Sequence, residues 1–327
     1  MRFTKMQGAG NDFIVINNIK EKIPHEELPE LARELCTRRM SVGADGLMAA
    51  EAAQQGGDFR MLFFNADGSM GEMCGNGARC IARFGYEEGL AGEEMVIETT
   101  AGPVSAQRLS ENRYRVRLND VTAMELNRKL TVDVNDVLTE WDCAYVELGN
   151  PGIPHLAVEY RDLEKTEPKD LWALGSALRH HKSLPKGANV NFYEILEDGR
   201  IFERTFERGV EDFTYACGTG TGSVAAVLTQ QGRVPLENGA AVSGSDSEKK
   251  SGCDSEKKFA NGTDRADCAA PGEAVICALN AAKPVIIDMA GGRLEVEVVQ
   301  DSDGSITDLF LIGPAEAVFK GERQVTK

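Results

Sequence analysis

The hexapeptide Met73-Cys74-Gly75-Asn76-Gly77-Ala78 has a near copy further along the chain, Ala216-Cys217-Gly218-Thr219-Gly220-Thr221. Each copy places a cysteine directly before a glycine-rich turn, and a segment with helical periodicity follows each turn. The two cysteines are 143 residues apart, and similar elements are predicted around both. The duplication therefore predicts two similar halves related by a pseudo-twofold axis, each contributing one thiol to a shared pocket.

Short β-like runs alternate with helical segments in both halves. In the first half we predict strands at 13–16, 59–64, 95–99, 102–109 and 114–118, a helix at 26–36, and a helix that follows Gly77 and ends near Gly89. In the second half we predict strands at 143–148, 155–158, 189–195, 201–208, 274–279, 285–289, 294–299 and 308–312, with helices at 170–179 and 221–231. This alternation predicts an α/β (α+β) fold.

The segment 238–272 has a different composition from the rest of the chain. It is rich in Ser, Gly, Asp, Glu and Lys, and it repeats Asp-Ser-Glu-Lys-Lys at 246–250 and 254–258. Such a sequence buries too little apolar surface to offset the entropy lost on ordering. We therefore interpret it as a flexible surface insertion, in which Cys253 and Cys268 are incidental.

Composition limits the class of protein. The 327 residues carry a net charge of −16, which argues against a nucleic-acid or anionic-membrane partner. No run approaches the ~20 apolar residues that span a bilayer, and the first residues lack the apolar segment of a signal peptide. We expect a cytoplasmic protein with reduced thiols. The 8 cysteines and 4 histidines show no zinc-site spacing, so no metal is expected.

Two opposed thiols suit an amino-acid racemase that works without a cofactor. Such an enzyme needs a base on one face of the α-carbon and an acid on the other. A helix N-terminus lowers the pKa of a thiol and binds a carboxylate through free backbone N–H groups, and Asn76 or Thr219 is placed to cap the turn.

A lone cysteine in a cytosolic protein is more often a small core residue. That interpretation is assigned to the other cysteines outside the insertion, Cys36, Cys80, Cys143 and Cys277, whereas the duplicated context favours chemistry at Cys74 and Cys217.

Further motifs carry a resemblance to a known family. They are Lys5 to Phe13 (KMQGAGNDF), Gly43 to Gly46 (GADG), Phe64 to Ser69 (FNADGS), Met73 to Arg79, Phe206 to Asp212 (FERGVED), Ala216 to Gly220 and Gly313 to Ala315. Together they resemble the diaminopimelate epimerase family over almost the whole chain apart from the insertion. The resemblance implies a homodimer without cofactor that epimerises LL-diaminopimelate to meso-diaminopimelate, in lysine and peptidoglycan precursor synthesis.

The resemblance also implies a fold and a set of site residues. Two pseudo-symmetric domains are expected, each a mostly antiparallel, barrel-like sheet around a central helix: residues 1–119 with the tail 314–327, and residues 120–313 with the insertion. Cys74 and Cys217 are the implied acid and base, and Glu207 and His155 the groups beside them. The implied substrate-binding residues are Asn11, Asn65, Gly75, Asn76, Asn189, Glu207, Arg208, Gly218 and Thr219. Taken singly, turn roles for the asparagines and a surface ion pair for Glu207 and Arg208 are as plausible.

The chain departs from the family pattern at two places. The family motif Gly-Asn-Pro-His corresponds here to Gly149-Asn150-Pro151-Gly152-Ile153-Pro154-His155. Aligned on Gly-Asn-Pro, the chain has three residues inserted before His155. The preferred alignment is on Pro-His, because His155 then keeps its place before the strand; in it Ile153 replaces an asparagine that contacts the distal end of the substrate, and losing that hydrogen bond costs roughly 1.5–3 kcal/mol. Phe319 stands where the family often has a tyrosine near the dimer contact. A racemase of another amino acid, such as histidine, therefore stays open, as does a binding or redox-sensing protein in which the thiols form a disulfide.

Overall fold

The computed structural model of this chain describes residues 1–71, 73–234 and 283–324. The elements of the first half are β1 (Arg2–Gly8), β2 (Asn11–Asn17), α1 (Asn18–Glu21), α2 (Leu28–Cys36), β3 (Gly46–Ala52), β4 (Phe59–Asn65), β5 (Met70–Gly71), α3 (Gly75–Glu87), β6 (Glu94–Thr99), β7 (Gly102–Arg108) and β8 (Arg113–Arg117). A short 3₁₀ turn, His25–Glu27, precedes α2.

The second half contains a similar series. Its elements are β9 (Val121–Val134), β10 (Val137–Leu148), β11 (Ile153–Glu159), α4 (Pro168–Arg179), β12 (Asn189–Ile195), β13 (Ile201–Glu207), β14 (Asp212–Thr214), α5 (Gly218–Gln230), β15 (Val285–Met289), β16 (Gly292–Gln300), β17 (Ile306–Pro314) and β18 (Glu316–Glu322). A 3₁₀ turn, Leu163–Lys165, precedes α4.

The strand pairing of the second half repeats that of the first. In the first half β2 is parallel to β3, β3 antiparallel to β4, β4 parallel to β6, and β6, β7 and β8 are successively antiparallel. The strands β11, β12, β13, β15, β16 and β17 have the same relations in the same order. Antiparallel pairing of β8 with β17 joins the two halves. The fold is the predicted mixed α/β arrangement of two similar halves.

Each half encloses one helix and is covered by another. The central helix α3 packs on β1, β2, β7 and β8, and α5 packs on β10, β11, β12, β16 and β17. The outer helices bury apolar stripes, with Leu28, Leu31 and Leu35 on α2 and Leu171, Leu174 and Leu178 on α4. The central helices thereby lie in the interior of the protein, and their N-termini become the ends that approach each other.

The boundaries of the two central helices differ from prediction. Helix α3 begins at Gly75 and α5 at Gly218, so the glycine-rich stretches form the first helical turn instead of preceding it. Asn76 and Thr219 were predicted to cap the helices, but Cys74 and Cys217 occupy the N-cap positions. Strands β1, β3, β5, β9, β14 and β18 were not predicted. The predicted insertion at 238–272, the strand at 274–279 and Cys277 lie outside the described residues.

Candidate active site

The two cysteines of the duplicated motif stand at the N-termini of the central helices, where those helices meet. Cys74 has φ −131° and ψ 117°, and Cys217 has φ −121° and ψ 104°, so both are extended residues directly before a helix. A Cβ built on Gly218 would lie only 3.4 Å from the Cα of Gly75 and 2.7 Å from Leu311 Cδ2. The two helix ends are therefore in contact at these glycines, and a side chain at Gly218 would have to displace Leu311 Cδ2.

Side-chain hydrogen bonds hold the two helix ends together. The Asn76 amide donates from Nδ2 to the carbonyl oxygen of Ala216 at 3.1 Å. Fully buried Arg79 donates to Asn76 Oδ1 at 3.0 Å, and also to the carbonyl oxygens of Gly75 at 3.4 Å and Pro314 at 3.2 Å. Asn76 thus acts as a bridge between the halves, and Arg79 fixes the orientation of its amide.

Burial outweighs the helix-end effect on both thiols. Desolvation raises the pKa of Cys74 to about 11, although the backbone N–H groups of Gly77 and Asn76 act in the opposite direction. Burial also raises the pKa of Cys217 well above its usual value, with the negative charge of Glu207 adding to the rise. The same charge raises the pKa of Cys74. A helix N-terminus alone therefore does not give either thiol a lowered pKa.

Of the predicted asparagines of the first half, Asn11 contacts Cys74 and Asn65 contacts Ser69. Asn11 Oδ1 accepts a hydrogen bond from Cys74 Sγ at 3.4 Å, and Asn11 Nδ2 donates to Asp45 Oδ2 at 2.5 Å. Asn65 lies at the end of β4, where its Nδ2 donates to Ser69 Oγ at 3.0 Å. Asn11 is consequently held by Asp45 in an orientation that presents its oxygen to the thiol.

The predicted residues of the second half lie at matching strand ends. Burial raises the pKa of the Glu207 carboxyl, with the Asp45 charge adding to the rise and the Thr214 hydroxyl opposing it. Arg208 donates from its backbone N–H to Asn189 Oδ1 at 2.7 Å, and its Nη1 donates to the Lys186 carbonyl oxygen at 3.4 Å. The backbone of Arg208 is thereby fixed by a neighbouring predicted site residue.

His155 is a buried, neutral imidazole. Desolvation, reinforced by the positive charge of Arg208, lowers its pKa to about 3. Its Nδ1 lies 3.3 Å from Asn191 Nδ2, and its Nε2 has no hydrogen-bond partner among the described residues. In the parallel pairing of β11 with β12, His155 lies opposite Asn189, and in the equivalent pairing of β2 with β3, Phe13 lies opposite Gly46. Ile153 precedes His155 by two residues, as Asn11 precedes Phe13. Ile153 therefore occupies the position equivalent to Asn11.

Around Cys217, Thr219 is close enough for a weak hydrogen bond, with its Oγ1 3.6 Å from the sulfur.

Three residues near the site were not singled out from sequence: Asp45, Arg79 and Asn191. Asp45 and Arg79 lie inside the quoted motifs, and Arg79 is a cation in a helix start of otherwise small, uncharged residues. Asn191 carries no such signal, because only the fold brings it beneath α5. The predicted core cysteines Cys36, Cys80 and Cys143 are buried as expected.

Solved structures with the same fold include racemases and epimerases. A Bacillus anthracis phenazine biosynthesis protein of the PhzF family is 15% identical, with a TM-score of 0.64 and 99% of both chains covered. A probable proline racemase from Agrobacterium radiobacter K84 is 16% identical, with a TM-score of 0.62 over 99% of this chain and 93% of that one. A hydroxyproline epimerase from Agrobacterium vitis is 16% identical, with a TM-score of 0.60 over 98% of this chain and 91% of that one. The chain thus has the same two-half α/β fold as these proteins.

The family follows from the sequence comparisons. The chain belongs to the diaminopimelate epimerase family, whose family model matches residues 3–123 and 148–267. Diaminopimelate epimerase from Hydrogenobaculum sp. (strain Y04AAS1) is 39% identical over 230 residues, which cover 68% of this chain and 80% of that protein. The chloroplastic enzyme of Oryza sativa subsp. japonica is 29% identical over 98% of this chain and 79% of its own length. None of the helices in the described ranges is long and apolar enough to cross a membrane.

Proposed function

We propose that this chain interconverts LL- and meso-diaminopimelate, with Cys74 and Cys217 as a base and an acid on opposite faces of one α-carbon. The observation that carries the proposal is the meeting of two cysteine-capped helix ends at Gly75 and Gly218. One thiolate removes the α-proton and becomes a thiol, while the other thiol protonates the opposite face and becomes a thiolate. The next reaction in the reverse direction starts from that state.

The helix ends and Glu207 stabilise the intermediate in this proposal. The backbone N–H groups of the first turns, including Gly75, Asn76, Gly218 and Thr219, are placed to bind the α-carboxylate, where negative charge develops as the proton leaves. The substrate ammonium pairs with Glu207. Because the Glu207 charge raises the pKa of both thiols, neutralising it by an ammonium group makes thiolate formation easier once the substrate is bound.

The distal carboxylate of the substrate is assigned to Arg208, Asn65 and Asn189. Arginine binds a carboxylate through two parallel N–H donors, and side-chain amides complete the hydrogen bonds. In this proposal His155 is a neutral group beside a thiol, since its pKa of about 3 leaves it uncharged at neutral pH. We also propose domains at 1–119 with 314–327 and at 120–313, which close over the substrate and exclude water.

The raised thiol pKa values predict a rate that increases with pH. When the thiolate is the minor species of the free protein, its fraction grows about tenfold for each pH unit below the thiol pKa. We therefore expect kcat/KM to rise about tenfold between about pH 6 and 7, because this parameter reports the free enzyme. Initial rates of epimerisation in buffers of constant ionic strength measure it. A flat profile over this range would show that a thiolate is already formed near pH 6.

The substrate is tested by a panel of amino acids in deuterium oxide. Each L-amino acid is incubated with the protein, and α-proton exchange is followed by NMR. We expect exchange with LL- and meso-diaminopimelate and not with histidine or proline. The alternative, a racemase of another amino acid, is favoured by Ile153, an apolar residue at a position expected to contact the distal group. Exchange with histidine but not with diaminopimelate would establish that alternative.

We also propose a homodimer in the cytoplasm, formed through β18. Val318 and Phe319 on this strand are 56% and 48% exposed, and Phe319 makes an edge-to-face contact with Phe3. Exposed apolar side chains on a strand at the sheet edge are typical of an interface. Sedimentation velocity should show that the wild type is a dimer and that the Val318→Asp variant is a monomer. A wild-type monomer at micromolar concentration would contradict the proposed dimer.

Cell fractionation tests the proposed cytoplasmic location.

A further inference from the structure

A chain of buried polar side chains lies beneath the first turn of α5 and has no counterpart in the first half. It consists of Glu203, Thr205 and Asn191, which we name the polar relay. By strand register, the first-half residues equivalent to Glu203, Thr205 and Asn191 are Met61, Phe63 and Met48, respectively, which lie beneath α3. All three relay side chains are buried, with Glu203 only 1% exposed. The second half therefore places polar groups where the first half has ordinary apolar packing.

The relay touches both sides of the proposed site. A Cβ built on Gly220, in the second cysteine motif, would lie 2.1 Å from Asn191 Oδ1 and 3.2 Å from Thr205 Oγ1. The other end of the relay meets His155, since Asn191 Nδ2 lies 3.3 Å from His155 Nδ1. The relay thus supports the Cys217 turn from below and contacts the buried imidazole at the same time.

An obligatory acceptor fixes the direction of the hydrogen bonds that Asn191 makes in the relay. The Leu156 carbonyl can only accept, so the Asn191 group 3.0 Å from it is the amide nitrogen. The second proton of that nitrogen faces His155 Nδ1, which therefore accepts and leaves the imidazole proton on Nε2. Asn191 Oδ1 accepts from the Thr205 hydroxyl at 3.0 Å. The single proton of Thr205 is consequently engaged by Asn191.

This direction leaves Glu203 without a donor unless it carries a proton itself. Its Oε1 lies 3.3 Å from the Thr205 oxygen, whose own proton is already engaged. The other nearby hydroxyl, Thr221, donates to the Cys217 carbonyl oxygen at 3.0 Å. A protonated carboxyl resolves the Thr205 contact, because its single O–H donates to the Thr205 hydroxyl oxygen.

We propose that Glu203 is a positioning residue whose protonated carboxyl holds the Cys217 turn and, through Thr205 and Asn191, the Nε2–H form of His155. This inference rests on the proposed roles of Cys217 and His155. Ionisation of Glu203 would draw the proton of Thr205 or Thr221 away from Asn191 or from the Cys217 carbonyl. The turn that carries the thiol would then lose one of its supports.

The electrostatic setting agrees with this geometry. Burial raises the pKa of Glu203 to about 8, against the opposing effect of the Thr221 and Thr205 hydroxyls. The titratable groups facing it from neighbouring elements are Cys217 on α5 and Tyr193 on β12. Asp288 on the adjacent β15 is engaged by Arg293 and Arg200. The carboxyl is therefore protonated at neutral pH and ionises as the pH rises through about 8.

Two substitutions of similar size separate positioning from packing. Glu203→Gln keeps a donor for Thr205 and cannot ionise, whereas Glu203→Met introduces the residue of the equivalent first-half position and has no donor. We expect Glu203→Gln to keep kcat at pH 7 and to continue gaining kcat/KM above about pH 8, where the wild type levels off as Glu203 ionises. We expect Glu203→Met to lower kcat about tenfold with little change in KM. Equal kcat in the Met and Gln variants, or identical pH profiles in wild type and Gln variant, would overturn the proposal.

Spectroscopy on the intact protein provides a test that is independent of turnover. The infrared difference spectrum between wild type and Glu203→Gln at pH 6.5 should contain the carbonyl band of a protonated carboxylic acid. Nitrogen-15 NMR of a His25→Gln, His180→Gln, His181→Gln variant, which retains His155 alone, should show a protonated Nε2 and a bare Nδ1. Carboxylate bands only, or a proton on Nδ1, would overturn the relay even in a fully active enzyme. An inactive protein with the expected spectra would refute the proposed function instead.

Discussion

Alanine at either Cys74 or Cys217 should lower kcat by about 10²–10⁴-fold, the usual contribution of one general acid or base. Each thiol serves one face of the α-carbon, so losing either interrupts epimerisation in both directions. Substitution should leave the fold intact, because cysteine and alanine differ by one sulfur atom at an N-cap that makes no side-chain capping bond. Proton–deuterium exchange at the α-carbon and the conversion of LL- to meso-diaminopimelate measure the effect.

Cys143 provides the matched control for this experiment. It is a buried free thiol on β10, 2% exposed, packed in the cluster under α4. Cys143→Ala should keep kcat near the wild-type value while losing some stability through the small cavity it leaves. Wild-type exchange and turnover in both Cys74→Ala and Cys217→Ala would refute the two-thiol mechanism. Loss of activity in Cys143→Ala, with a normal melting temperature, would show that thiol loss acts indirectly.

Local patterns were sufficient to predict most of the fold. The strands Asn189–Ile195 and Val285–Met289 match their predicted bounds, because runs of alternating or β-branched residues are bounded by turn signals there. Strand β3, Gly46–Ala52, was missed because its Gly-Leu-Met-Ala-Ala-Glu-Ala sequence has low β propensity. Pairing with β2 and β4 on either side makes it a strand, and that context is absent from the local sequence.

The sequence predicted which residues form the site, but not the pKa values of its thiols. The duplicated motif identified both cysteines, and the motif residues Asn11, Asn65, Asn189 and Glu207 all lie at strand ends. The thiol pKa values could not be predicted, because desolvation depends on how deeply two helix ends are enclosed, which only the tertiary structure decides. Glu203 was missed for the same reason, since a glutamate within a strand reads as a solvent-facing residue until the covering helix is known.

Arg208→Met should lower kcat/KM for diaminopimelate about 100-fold, because two charge-assisted hydrogen bonds to the distal carboxylate together contribute about 3 kcal/mol. The side chain is half-buried at the end of β13, and the Asn189 amide holds its backbone N–H at 2.7 Å. Methionine preserves the length of the aliphatic stem, so the backbone and its bond to Asn189 should persist. Steady-state rates with LL-diaminopimelate at several concentrations measure the loss.

Two further variants show whether this loss reflects carboxylate recognition. Arg208→Lys keeps the charge without the forked pair of donors, and we expect about a tenfold loss. Arg200→Gln removes a half-exposed arginine that precedes β13 and pairs with Asp198 and Asp288. We expect wild-type kinetics, because such ion pairs contribute about 0–1 kcal/mol and Arg293 still pairs with Asp288. If Arg208 binds the distal carboxylate, Arg208→Met should also narrow the preference for diaminopimelate over 2-aminopimelamate, its uncharged analogue at that end. An unchanged preference would place the distal contact elsewhere, with Asn65 and Asn189 as the remaining candidates.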